Sequence, residues 1–307
     1  MIAHLTVFLA LILLAAPASA QAPDDIDALR ARSLSLVNKD RRAEGLGRLE
    51  LEDTLNQAAL AHARDMLERG YFSHTSPEGG TVLDRYRKAG GGDGRVVREN
   101  ISRCTGCREQ PDTSAVDDMH KGWMNSPGHR ANILAEGLNG YGFAVVQDSR
   151  GNRYGVETFA GPGAPRGEVP GGKVEAIGPQ AQTELAAAII NGERSGSSRV
   201  SADARLRGHL EAKLAAVDPA AVGLSQIRLH DDLPPGLDWR DYQVLYGECG
   251  GCGAEPTNSD VYFFVGKWSE SRRSRAILKD GSLGNIGFVI AADGQGRKIA
   301  VLLLAGQ

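Results

Sequence analysis

The sequence predicts a layered α/β protein whose second half repeats the first. Three observations carry that expectation. Apolar residues recur at helical spacing in several stretches of the first half. Strand-like runs around short turns close each half. A single offset of 145 residues brings cysteines, a tryptophan and a turn into coincidence.

The chain opens with an apolar run over residues 5–16, followed by Pro17 and Ala18-Ser19-Ala20. That run is short for a bilayer span and its small-residue ending suits signal peptidase, so residues 1–20 are expected to be a signal peptide cleaved after Ala20. No later segment reads as transmembrane, so the mature chain is expected to carry no membrane anchor and to be secreted or periplasmic. The formal net charge is −3 with both signs mixed along the chain, which gives no electrostatic case for nucleic acid as a partner. The remaining length allows one large domain or two ordinary ones.

In the first unit, residues 24–163, Ile26, Leu29, Leu36 and Val37 predict a helix carrying Asn38 and Arg41, stopped by Gly45 and Gly47. Asp53 is expected to cap a second helix with Leu55, Ala59, His62 and Met66 on its apolar face. His62 on that stripe reads as a packed core histidine. Gly70 then releases the chain into Ser73-His74-Thr75-Ser76-Pro77, whose small polar residues let an imidazole face a cleft, while Ser73 and Ser76 read as loop caps. Residues 81–88 and 115–124 read as helices, with His129 in a turn or short helix after Pro127-Gly128. Residues 141–147 and 153–160 read as a hairpin.

These motifs, in this order, resemble a bacterial member of the CAP superfamily, also called the SCP or cysteine-rich secretory protein family. They are Leu36-Val37-Asn38 with Arg41, the His74 segment, Glu99-Asn100, Trp123 through Leu134, and the hairpin. The resemblance implies an α-β-α sandwich. Animal members place two His and two Glu in a cleft that can bind a divalent cation, so His74 looks like the first His and Glu99 like the first Glu. The second family Glu falls near Asn125 or Ser126, and the second His near Tyr154. His129 stands in the bacterial Ser-Pro-Gly-His-Arg form and is the further candidate. The candidate catalytic and metal-ligating set is therefore His74, Glu99 and His129, with zinc or another divalent cation as the implied cofactor and a position open for water.

Residues 164–180 read as a linker, and residues 181–307 as a degenerate copy of the first unit. Asn191 and Arg194 repeat the relation of Asn38 and Arg41. The offset takes Cys104, Cys107, Trp123, Phe143 and Gly151 to Cys249, Cys252, Trp268, Phe288 and Gly296. It also takes Glu99 to Val244, His129 to Ser274 and Glu157 to Leu302, so the second unit is expected to pack, regulate or bind. The two Cys-x-x-Cys pairs suit local disulfides in an exported chain; pooled, they suit a four-sulfur zinc site. Neither His-Glu-x-x-His nor Gly-x-Ser-x-Gly occurs. The leading expectation is an exported protein binding a lipid, glycan, peptide or envelope protein through the His/Glu cleft. A metal-dependent hydrolase of peptide or cell wall and a purely structural module are the alternatives.

Overall fold

A computed structural model describes residues 22–194, 198–227 and 240–306; the expected signal peptide lies outside them. The first unit runs α1 (Ile26–Ala43), β1 (Glu50–Leu51), α2 (Asp53–Arg69), α3 (Val82–Lys88), β2 (Val96–Cys104), α4 (Thr113–Met124), α5 (Pro127–Ile133), β3 (Gly140–Gln147) and β4 (Arg153–Gly161). Its sheet has the order β1-β3-β4-β2, with β1 parallel to β3 and the other pairs antiparallel. Side chains of β3 alternate between the faces, as the pleat requires. Tyr141, Phe143 and Val145 join Leu29, Val37, Val116 and Trp123 from α1 and α4. Ala144 and Val146 join Ala59, Ala63 and Met66 from α2. The result is an α-β-α sandwich.

The expected cap of α2 needs correction. Residue 52, not Asp53, is the N-cap of α2: Glu52 is extended, makes no side-chain cap bond, and Asp53 is the first helical residue. Strand β2 also went unpredicted, because Arg98, Glu99 and Asn100 interrupt the apolar alternation that marks a strand. Its outer edge is closed by side chains rather than by another strand. Trp123 donates Nε1–H to the Ile101 carbonyl at 3.1 Å, and Asn132 donates to the Glu99 carbonyl at 3.0 Å, protecting an edge that would otherwise invite pairing.

The second unit runs α6 (Pro179–Glu193), β5 (Ser201–Ala202), α7 (Ala204–Ala215), β6 (Asp241–Cys249), α8 (Asn258–Glu270), α9 (Arg272–Leu278), β7 (Asn285–Ala292) and β8 (Lys298–Gly306). Its sheet order is β5-β7-β8-β6, the same scheme. Buried polar anchors recur with it. Asn38 makes a reciprocal pair of hydrogen bonds with the backbone of Leu49, and Asn191 does the same with Val200. Arg41 donates to the Ile133 carbonyl and Arg194 to the Leu278 carbonyl. Trp268 donates to the Tyr246 carbonyl at 3.1 Å. What differs is the inward chemistry: Val244, Leu245 and Leu302 belong to apolar clusters. Lys298, fully buried there, meets Asp260 at 2.6 Å.

Segment 164–180 is less of a free linker than its composition suggests, and its last two residues already belong to α6. It is pinned across the start of α8 by Ser259 to the Gly167 carbonyl at 2.7 Å and Asn258 to the Lys173 carbonyl at 2.9 Å. Cysteines pair locally, Cys104 with Cys107 and Cys249 with Cys252, each with Cα atoms 6.1 Å apart. All four sulfurs are thereby consumed, which removes the pooled zinc site. The Cys249–Cys252 loop also joins the units: Gly251 N–H donates to the Gly94 carbonyl at 2.6 Å and Gly253 N–H to that of Pro162 at 2.8 Å. Gly94 has φ of +91°, and a Cβ there would lie 2.8 Å from Arg297 Cβ, so this contact needs glycine.

Asn38 is 3 % exposed, so Asn38→Ala strands the Leu49 N–H and C=O without partners. The expected loss is about 1–3 kcal/mol in urea unfolding; a loss below about 0.5 kcal/mol would contradict this role for the anchor.

Candidate functional site

The site is assembled at the β2 edge from three pieces of chain. Strand β2 supplies Glu99 and Asn100, which alternation sends to opposite faces of the sheet. The loop after α2 supplies His74, and α3 supplies Arg85. Helix α3 is fixed by a capping box in which the Thr81 side chain accepts from Asp84 N–H and Asp84 accepts from Thr81 N–H. As the sequence suggests, Ser73 Oγ accepts from Thr75 N–H and Ser76 Oγ from Gly80 N–H, which shapes the loop on both sides of His74.

Glu99 is the centre. Its side chain is 2 % exposed and both oxygens are engaged: Oε1 takes His74 Nδ1 at 3.0 Å, and Oε2 takes Arg85 Nη2 at 2.7 Å. A histidine nitrogen facing a carboxylate carries a proton, so the neutral ring of His74 is the Nδ1–H tautomer. Its Nε2 lone pair is left on a side chain that is 54 % exposed. His62 lies behind, fully buried, with Nε2 2.9 Å from the Ser73 carbonyl and 3.7 Å from Glu99 Oε1. Since a carbonyl only accepts, His62 Nε2 also bears hydrogen; burial pushes its pKa down, while Glu99 opposes that shift. It is the packed core histidine that its helical stripe predicts.

On the other face, Asn100 donates from Nδ2 to the His129 carbonyl at 3.0 Å and to Glu157 Oε1 at 2.6 Å. Its Oδ1 accepts from Asn132 at 2.8 Å. Tyr141 OH lies 2.9 Å from Glu157 Oε2, and Ser33 lies 2.6 Å from the same hydroxyl. Glu157 is completely buried and among the described residues no cation faces it, so desolvation raises its pKa to about 8. The His129 pKa is lowered by burial and then by the neighbouring His74. His129 also lines a cavity of about 490 Å³ with Ile101, Arg103, Met119, Gly122 and Trp123. It is thus common to the polar site and to an apolar hollow beside it.

Of the three candidate residues, the structure joins His74 and Glu99 directly and sets His129 near His74 through its backbone tie to Asn100. The donor set does not fit the divalent cation that the resemblance implies. His74 offers a single nitrogen, Nε2, both oxygens of Glu99 are already taken by His74 and the Arg85 guanidinium, and among the described residues no three His, Cys, Asp or Glu side chains converge on one point. Sequence reasoning missed Arg85, since an arginine on a short polar helix looks solvated. Glu157 carries a signal of its own, since it stands in the closing strand between Val156 and the apolar Phe159 and Ala160.

Residues 34–159 match the family model described as the cysteine-rich secretory protein family, CAP. The first unit is a CAP domain. The chain is similar to "Uncharacterized protein YkwD" of Bacillus subtilis, 32 % identical over 139 residues, 43 % of this chain and 51 % of that protein. The "Uncharacterized membrane protein YlbC" of the same organism is 34 % identical over 112 residues, 36 % of this chain and 30 % of that one. The chain thus spans about half the length of the first of these relatives and under a third of the second. Among solved structures, an extracellular protein containing an SCP domain from Bacillus anthracis is 28 % identical, with a TM-score of 0.36 over 43 % of this chain and 40 % of that one.

The raised Glu157 pKa has a definite sign. A folded-state value above the unfolded one stabilises fully below about pH 4.5, and the contribution is lost as pH rises toward about 8. Glu157→Gln keeps a neutral partner for Asn100 and Tyr141. Its stability relative to the parent is expected to climb by up to about 1.4 kcal/mol per pH unit across that window, read from urea midpoints; parallel profiles would contradict a neutral Glu157.

Proposed function

We propose that this chain is an exported binding protein whose CAP domain takes its ligand between the exposed edge of His74 and the neighbouring cavity that His129 lines. The observation that carries this reading is the way Glu99 holds His74. The buried carboxylate fixes the ring and its tautomer, and presents Nε2 as an acceptor on a half-exposed side chain. A ligand is then recognised by a hydroxyl or amide N–H at His74 and by an apolar group over Ile101, Met119 and Trp123. A glycan or peptide of the cell envelope has both features. Export rests on the apolar run and small-residue ending of residues 1–20. The second unit is taken as a worn tandem copy that retains the backbone anchors and has exchanged the polar cleft for apolar packing. Its role in this reading is to support the loop that leads into β2.

Gly122 offers a direct test. It faces the cavity from α4, and a Cβ there meets nothing within 4 Å. Gly122→Leu is expected to fill the hollow while leaving folding intact, because replacing a helical glycine is favourable by roughly 0.5–1 kcal/mol. Co-sedimentation of the mature protein with purified peptidoglycan is expected to fall at least about tenfold in affinity in Gly122→Leu and in His74→Ala, about 1.4 kcal/mol each. Unchanged co-sedimentation in both folded variants would overturn the assignment of this hollow.

A further inference from the structure

We infer that Arg85 is the resident cation of the cleft, taking on Glu99 the place a divalent metal would need and making the site independent of metal. This does not rest on the binding reading above. The guanidinium converges on three oxygens: Glu99 Oε2 at 2.7 Å, the His74 carbonyl at 3.0 Å and the Gly80 carbonyl at 3.2 Å. Its side chain is 13 % exposed and that of Glu99 only 2 %, so the pair is largely withdrawn from water, where a second positive ion would be strongly repelled. Arg85 Nε is buried without a hydrogen-bond partner among the described residues. Its polar contacts are therefore all made by the outer nitrogens that grip the cleft.

The position is built rather than incidental. The Thr81–Asp84 capping box sets the start of α3, and Ser76 and Gly80 close the turn whose carbonyl Arg85 holds. The same side chain therefore balances the Glu99 charge and ties the His74 loop to α3. Removing it leaves a carboxylate oxygen and two carbonyl oxygens around one vacated point. That is a hard-oxygen set suited to calcium, or to a small guanidinium added from solution.

The test is a calcium and zinc titration of the full mature chain by calorimetry and thermal melting, with Arg85→Ala, Arg85→Ala/Glu99→Gln and Glu99→Gln. The parent is expected to show no Glu99-dependent uptake of either ion. Arg85→Ala is expected to melt lower and to be raised by calcium or methylguanidinium at concentrations that leave the parent unmoved. That rescue should be lost in the double variant, whose neutral cleft also provides a folded control. The calcium affinity gained by removing Arg85 should be at least about tenfold. A parent that binds one zinc or calcium, with binding lost in Glu99→Gln, would overturn the inference. So would a folded Arg85→Ala that neither melts lower nor responds to added cation. Should Arg85→Ala not fold, the parent against Glu99→Gln decides: Glu99-dependent uptake overturns the inference, and its absence upholds it.

Discussion

A carboxylate withdrawn from water has to be paired, and the first unit is organised around meeting that requirement for Glu99. Its two oxygens gather one side chain from the loop after α2 and one from α3. The backbone at the same residue is held by Asn132. Without this pairing the His74 loop would have no fixed relation to the sheet, and the imidazole no fixed tautomer. The accessible feature of the site, His74 Nε2, is thus a consequence of an inaccessible one.

The neighbouring residue on β2 solves a different problem. Asn100 faces the other layer and satisfies a carboxyl group that, among the described residues, no cation faces. Burial keeps Glu157 protonated across much of the physiological range, and the Asn100–Glu157–Tyr141–Ser33 chain of hydrogen bonds makes a neutral group acceptable at the centre of the sandwich. One strand therefore carries a charged, paired acid on one face and contacts an uncharged, buried acid on the other. In the second unit the same places are apolar, and the strand order survives. The Asn, Arg and Trp anchors to backbone carbonyls are common to both units, and the polar cleft belongs to the first.

Much of this was legible in the sequence because it rests on periodicity. The α1 and α2 stripes, the β3–β4 hairpin and the constant offset between halves are all patterns of apolar residues and turns, and His62 was read correctly from its helical neighbours. The site was legible only where a residue stood out from its surroundings, as His74 does in its loop. β2 was hidden because Arg98, Glu99 and Asn100 break its alternation. Arg85 was hidden because nothing local distinguishes an arginine that turns inward from one in solvent; the contact that decides its role spans from α3 to β2. The inward direction of Glu157 follows from register, but its neutrality follows from the absence, among the described residues, of a cation near it, and only the packed structure supplies that.

The central claim is that Glu99 fixes His74 as the Nδ1–H tautomer with Nε2 open to the cleft. Long-range proton–nitrogen NMR on ¹⁵N-histidine-labelled mature protein, above the pH at which the ring is neutral, reads that tautomer directly. The structure predicts that His74 carries its proton on Nδ1, and that this preference disappears in Glu99→Gln. A proton on Nε2 in the parent, or a tautomer balance indifferent to Glu99, would contradict the account.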